Sequence, residues 1–148
     1  MEIRVLVVDD ETDFLETIVK RLAKKSLSSA GASSGEDALA LMKTSVFDVI
    51  LLDIKMPGGM DGLETLKEMK RLQPLAEVIL LTGHGTVESS VQGMRLGAFD
   101  YILKPAKFEE LCEKVAQAYM KKSEQDDKIR RANIQQLLRN PGKPADPE

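Results

Sequence analysis

The segment Phe47-Asp48-Val49-Ile50-Leu51-Leu52 runs straight into Asp53. Apart from Asp48 it is apolar at odd and even positions alike. A strand with one wet face alternates apolar and polar residues, whereas one apolar on both parities is buried on both faces. That segment therefore calls for a sheet covered above and below.

Other segments repeat the theme. Ile3 to Val8 is apolar except for Arg4 and ends in Asp9 and Asp10. Val78 to Leu81 ends at Thr82, and Phe99 to Leu103 ends at Lys104 and Pro105. Leu27 to Ala30 is a weaker strand, serine in its middle. Between them the apolar spacing becomes helical. Phe14, Leu15, Ile18, Val19 and Leu22 mark a first helix, with Thr12 as its N-cap. Ser34 and Gly35 introduce a second through Ala38, Leu39, Leu41 and Met42. Asp61 or Gly62 opens a third, which Pro74 stops. Thr86 opens a fourth, ended by Gly97. Phe108, Leu111, Cys112, Val115, Ala116 and Tyr119 mark a fifth. Five βα units predict an α/β fold: a doubly wound parallel sheet with right-handed crossovers.

Charge divides the chain. Residues 1–120 carry a net −5 and residues 121–148 a net +2, within an overall −3. Residues 1–120 are expected to form one domain. Residues 121–148 are expected to add a charged helical extension and a frayed end from Asn140, with no independent core. The acidic balance argues against non-specific nucleic-acid binding, and the tail lacks a dense basic stripe. The single Cys112 excludes a disulfide framework within the chain and a cysteine-based metal site. No apolar run is long enough to span a bilayer, and no secretory signal is visible, so a cytoplasmic location is expected.

Functional groups of an open α/β sheet collect at the carboxyl ends of its strands. Here that edge gathers Asp9, Asp10, Asp53, Thr82 and Lys104. Singly, each has an ordinary reading: Asp10 as a helix cap, Thr82 as a strand end, Lys104 as a solvated charge. Jointly they are a strong pattern. Three crowded carboxylates raise one another's pKa unless a cation joins them. All-oxygen ligands suit a hard divalent ion, here Mg²⁺.

These stretches resemble the receiver domains of two-component response regulators. The match lies in Val7-Val8-Asp9-Asp10-Glu11, Asp48 to Pro57, Met60-Asp61-Gly62, Leu80-Leu81-Thr82-Gly83 and Gly97 to Pro105, in family order and spacing. The resemblance implies a flavodoxin-like fold with sheet order 2-1-3-4-5. It implies that Asp53 is the phosphoacceptor, charged from a sensor histidine kinase or phosphotransfer protein. Asp10 is then the direct Mg²⁺ ligand and Asp9 acts mainly through water. Asp53 and the backbone carbonyl of Lys55 complete the protein ligands. Lys104 ion-pairs first with Asp53 and then with the phosphoryl group, aimed by a cis peptide before Pro105. Thr82 and Tyr101 occupy the switch positions, which remodel the face of helix four, strand five and helix five. That face is the expected contact for an output protein and a candidate homodimer surface. Such a protein catalyses only its own phosphorylation and dephosphorylation. Lys55 and His84 stand where the family tunes phosphoryl lifetime, and Lys55 is expected to screen the acyl phosphate. His84 reads more readily as an exposed loop histidine.

Two departures stand out. Gly58 and Gly59 make the loop after Asp53 one residue longer than the family pattern, an insertion expected to be absorbed locally. Ala106 and Lys107 follow Pro105 where the family often has a large apolar residue and then Asp.

Other chemistries fit less well. A haloacid-dehalogenase-like phosphatase resembles Asp-x-Asp, but this chain has Asp53-Ile54-Lys55, and lysine cannot replace the second carboxylate. A flavodoxin-like nucleotide binder needs a small, neutral phosphate loop after strand one, where Asp9-Asp10-Glu11 stands. Neither GxxxxGK[ST] nor GxGxxG is present. For output, a stand-alone receiver acting by protein contact is the first expectation. The alternative is the receiver part of a larger DNA-binding regulator.

Overall fold

A computed structural model describes residues 2–25, 27–83 and 87–139. Five strands alternate with five helices: β1 Arg4–Val8, α1 Thr12–Lys24, β2 Ser28–Ala32, α2 Gly35–Thr44, β3 Val49–Asp53, α3 Gly62–Leu72, β4 Glu77–Thr82, α4 Val87–Arg95, β5 Asp100–Leu103 and α5 Phe108–Arg139. The strands form one parallel sheet in the order β2-β1-β3-β4-β5. The flavodoxin-like (βα)5 expectation is thereby met.

Side-chain alternation builds two cores. Val5, Val7, Val49, Leu51, Ile79 and Leu81 face α1 and α5, meeting Leu15, Leu22, Leu111 and Val115. Leu6, Val8, Ile50, Leu52, Val78 and Leu80 face the other layer, meeting Met42, Leu66 and Met69. Every residue of β3 and β4 is buried, as a doubly covered sheet requires. Register then aligns the strand ends: Val8 pairs with Leu52, Asp53 with Leu81, and Thr82 with Leu103. Residues just beyond these pairs share one edge.

Local chemistry sets most boundaries. Ser34 Oγ accepts from Asp37 N at 3.0 Å, capping α2, and Asp61 Oδ1 accepts from Glu64 N at 2.8 Å, capping α3. Thr12 is not the N-cap of α1 but its first helical residue. Glu11 holds the cap position without a side-chain cap bond, and its N–H donates instead to Asp9 Oδ1 at 2.9 Å. The site carboxylate thereby ties down the backbone of the cap residue itself. The third strand also starts later than its apolar pattern suggests. Phe47 and Asp48 precede it, and Asp48 Oδ2 accepts from Arg4 N at 2.8 Å.

The fifth helix runs unbroken for 32 residues and absorbs the charged segment as far as Arg139. Its middle is pinned to the amino ends of two strands. Lys122 Nζ lies 2.9 Å from Asp48 and 3.1 Å from Asp126, and Lys121 Nζ lies 3.2 Å from buried Glu77. Thr86, the expected start of the fourth helix, and the expected frayed end from Asn140 lie outside the described residues. Among the described residues no helix is long and apolar enough to cross a membrane.

Candidate functional site

The carboxyl edge of the sheet assembles what the strand endings promise. Asp9 follows β1 and is fully buried, Asp10 beside it is exposed, and Asp53 closes β3 with 4% of its surface exposed. One oxygen from each of these three carboxylates lies within 4.8 Å of the others. Lys104 reaches in from the end of β5. Its Nζ lies 2.6 Å from Asp9 Oδ2, 3.6 Å from Glu11 Oε1 and 3.7 Å from Asp53 Oδ2. The Lys104–Pro105 peptide is cis, as expected, and Lys104 N donates to Thr82 O at 2.7 Å.

The expected Lys104–Asp53 ion pair is present, but it is not the closest contact. Asp9, not Asp53, is the close partner of Lys104. Asp9 sits deeper and has no other cation within ion-pair distance among the described residues. Asp53 meanwhile accepts from Lys55 N at 3.2 Å. Lys104 also lies over the Phe14 ring, 4.7 Å from its centroid. That contact joins an α1 core position to a residue far along the chain, and no local signal announces it.

Electrostatics follow from the crowding. Burial, then the neighbouring Asp9 charge, push the Asp53 carboxyl up to about 6, against the opposing pull of Lys104 and the Lys55 N–H. Burial disfavours the Lys104 ammonium, but the Asp9 hydrogen bond and the charges of Asp53, Asp9 and Glu11 outweigh it and raise its pKa. The donor set is all oxygen, anionic and incompletely neutralised. It fits a hard divalent cation, with Asp9, Asp10 and Asp53 as the residues that would hold it.

Thr82 is 2% exposed, and its Oγ1 has no hydrogen-bond partner among the described residues. A buried, unpaired hydroxyl is a standing demand for an acceptor. It borders a cavity of about 530 Å³ that is also lined by Asp53, Lys55, Lys104, Met56 and Leu63. Lys55 is exposed at this rim. Tyr101 points elsewhere. It is 43% exposed and lines a separate apolar groove of about 450 Å³ with Val87, Val91, Met94 and Leu103. His84 lies outside the described residues.

The longer loop is absorbed between Pro57 and Met60. Gly58 adopts φ +85°, which suits glycine, and Met60 N donates to Glu36 Oε2 at 3.2 Å on α2. The chain then returns to register, with Gly62 N donating to Ile54 O at 3.0 Å. At the other departure, half-buried Ala106 packs on the core, and Lys107 O accepts from Glu110 N and Leu111 N to open α5.

Fold and edge together define a signalling receiver with an acidic, lysine-closed pocket. A family model of the response regulator receiver domain matches residues 5–116, and the chain belongs to that family. It is similar to the transcriptional regulatory protein ZraR of Salmonella typhimurium, at 38% identity over 117 residues, covering 79% of this chain and 26% of that protein. A putative NtrX-like response regulator of Rickettsia bellii is 35% identical over 133 residues, covering 89% of this chain and 27% of that one. Among solved structures, a CheY-like receiver domain protein of Methanospirillum hungatei superposes with a TM-score of 0.81 at 30% identity, covering 84% of this chain and 99% of its own. The chain spans about a quarter of the length of the curated relatives it matches.

Proposed function

We propose that this receiver takes a phosphoryl group onto Asp53 from a sensor histidine kinase or phosphotransfer protein, with Mg²⁺ as cofactor. The observation that carries the reading is one buried carboxylate, Asp53, lying within reach of a second and third carboxylate, a lysine and an unpaired hydroxyl. An Asp53 carboxylate oxygen attacks phosphorus as the bond to the donor's leaving group breaks, leaving an aspartyl phosphate. Phosphoryl transfer needs positioning and charge stabilisation more than covalent help. Mg²⁺, when bound, supplies charge neutralisation at the phosphoryl oxygens. Asp10 would hold the cation directly and Asp9 mainly through water, with Asp53 and the Lys55 backbone carbonyl completing the protein ligands. Lys104 stays tethered by Asp9 and turns its remaining N–H donors to the phosphoryl group. Thr82 Oγ donates to a phosphoryl oxygen and gains the partner it lacks.

Movement of Thr82 toward the phosphoryl group opens space that Tyr101 fills by turning inward. That shifts an existing equilibrium and changes the α4–β5–α5 face, where an output protein or a second copy docks. Residues 1–120 form this unit and 121–148 its appendage, with the whole acting in the cytoplasm. Its only catalysis is of its own phosphorylation and dephosphorylation. The relatives favour a second reading of output, in which this receiver controls the DNA-binding part of a longer transcriptional regulator.

The test is intact mass after incubation with Mg²⁺ and acetyl phosphate. One labile phosphoryl adduct is expected, absent in Asp53→Asn and absent when EDTA replaces Mg²⁺. An adduct that survives Asp53→Asn overturns the assignment. Lys55 is assigned to shield the acyl phosphate from water, so Lys55→Ala is expected to shorten its lifetime several-fold. An unchanged decay rate contradicts that role.

A further inference from the structure

Beyond Asp126 the fifth helix leaves the body, and residues 127–139 are all exposed. A helical segment this short is marginal in water without packing. Its surface is nonetheless patterned. Met120, Glu124, Asp127, Arg131, Ile134 and Leu138 succeed one another at steps of 4, 3, 4, 3 and 4, the spacing of one coiled-coil seam. Met120, Ile134 and Leu138 are 62%, 56% and 76% exposed. The seam lies on the side of the helix opposite Leu111, Val115 and Ala118, which pack on the sheet, so a second helix can lie along it clear of the body.

The order of residues in the seam selects the partner. In parallel self-pairing each residue meets its own copy, setting Glu124, Asp127 and Arg131 against like charges. Antiparallel pairing centred on residue 129 sets each residue against the one whose number completes 258. Asp127 then faces the partner's Arg131, twice by symmetry. Met120 faces the partner's Leu138, again twice. The remaining match, Glu124 against the partner's Ile134, is neutral in sign. Along the helix itself Asp127 has Arg130, at 3.8 Å with both side chains largely exposed, and Arg131 one turn on, and exposed pairs of this kind are weak.

We propose that this helical projection is a self-association site, in which two copies of the chain pair antiparallel through the Met120–Leu138 seam. The seam is about 27 Å long at 1.5 Å per residue, so the dimer is weak and concentration-dependent. It is separate from the α4–β5–α5 surface and does not depend on Asp53 accepting a phosphoryl group.

The test uses the full chain in sedimentation equilibrium over a wide concentration range at low salt. A monomer–dimer equilibrium is expected. Asp127→Arg and Arg131→Asp, singly, are each expected to weaken it at least tenfold, and the double exchange Asp127→Arg/Arg131→Asp to restore it. Orientation is read by oxidative crosslinking. Met120→Cys/Leu138→Cys is expected to give a covalent dimer, while neither single variant crosslinks to itself. The two positions of one chain are too far apart for an internal disulfide. Strict monomers throughout, self-crosslinking of the single variants, or a dimer indifferent to the charge reversals but lost with Tyr101→Ala would each overturn the proposal.

Discussion

Lys104 Nζ donates to Asp9 Oδ2 at 2.6 Å, and the same ammonium lies 3.7 Å from Asp53 Oδ2. One cation therefore spans two carboxylates that are almost wholly buried. Removing it leaves Asp9 with no compensating charge in metal-free protein, and truncating one partner of a buried pair is strongly destabilising. Lys104→Ala is expected to lower stability by about 2–4 kcal/mol in EDTA and to recover part of it on adding Mg²⁺. Its phosphorylation rate with saturating Mg²⁺ should still fall at least tenfold, since a donor to the transferred group is gone. Urea titrations with and without Mg²⁺, alongside adduct formation, separate the two roles. Equal stability in EDTA would contradict the bridging role.

The raised pKa of Asp53 carries a sign. Its folded value, about 6, lies above the ordinary 3.8. Between those values the folded protein holds a proton that the unfolded chain has released. The contribution is therefore full below pH 4 and is lost as pH rises through 6. At pH 7 without metal the fold carries an ill-compensated carboxylate. Asp53→Asn removes that charge. It is expected to raise Tm in EDTA at pH 7 by a few degrees, about 2–5 °C, with a visibly smaller gain at pH 5. A gain of equal size at both pH values would rule out the charge as its source.

Thr82 is buried, with its hydroxyl unpaired among the described residues. Thr82→Val keeps the shape and deletes a polar group that the resting fold leaves unsatisfied. Stability of the unphosphorylated protein is expected to be unchanged or to rise by about 1 kcal/mol. The response to phosphorylation should disappear, because the new acceptor has no hydroxyl to draw in. Hydrogen exchange across residues 87–103, before and after acetyl phosphate, reads this directly. A normal exchange response in the valine variant would remove Thr82 from the switch.

The chemistry of the edge was legible because it sits at strand ends. A strand such as Val49 to Leu52 can only be buried, so the charge that follows it must lie where the sheet stops. Asp9, Asp10, Asp53, Thr82 and Lys104 converge for that reason. What escaped depends on distance in the chain. The Lys104–Asp9 preference and the Phe14 ring beneath the ammonium depend on depth and tertiary placement, which no local pattern encodes. The Lys122–Asp48 pair was hidden because each residue reads as an ordinary surface charge. Thr12 has the residue type of a cap, but the helix opens one residue earlier, with Leu15 N donating to Glu11 O and the Glu11 N–H held by Asp9 Oδ1.

Gly62 tests whether the site depends on backbone packing as well as charge. A Cβ at this position would lie 2.5 Å from Ile54 Cα, 2.5 Å from Ile54 O and 2.7 Å from Asp53 O. These are backbone atoms, so no rotamer change relieves the clash, and the start of α3 or the end of β3 must move. The Gly62 N to Ile54 O hydrogen bond at 3.0 Å resists that movement. Gly62→Ala is expected to destabilise the fold by about 1–3 kcal/mol and to slow Asp53 phosphorylation more than that loss of folded protein explains. Gly83→Ala is the matched control, since among the described residues a Cβ there meets nothing within 4 Å, and its stability should stay within about 0.5 kcal/mol of the parent. Urea denaturation supplies the folded fraction, and adduct formation at low temperature, where both variants are folded, supplies the rate. If Gly62→Ala matches Gly83→Ala in stability, the α3 start is looser than this close approach requires. If it is destabilised but phosphorylated at the parent rate, the strand end keeps Asp53 in place while α3 gives way.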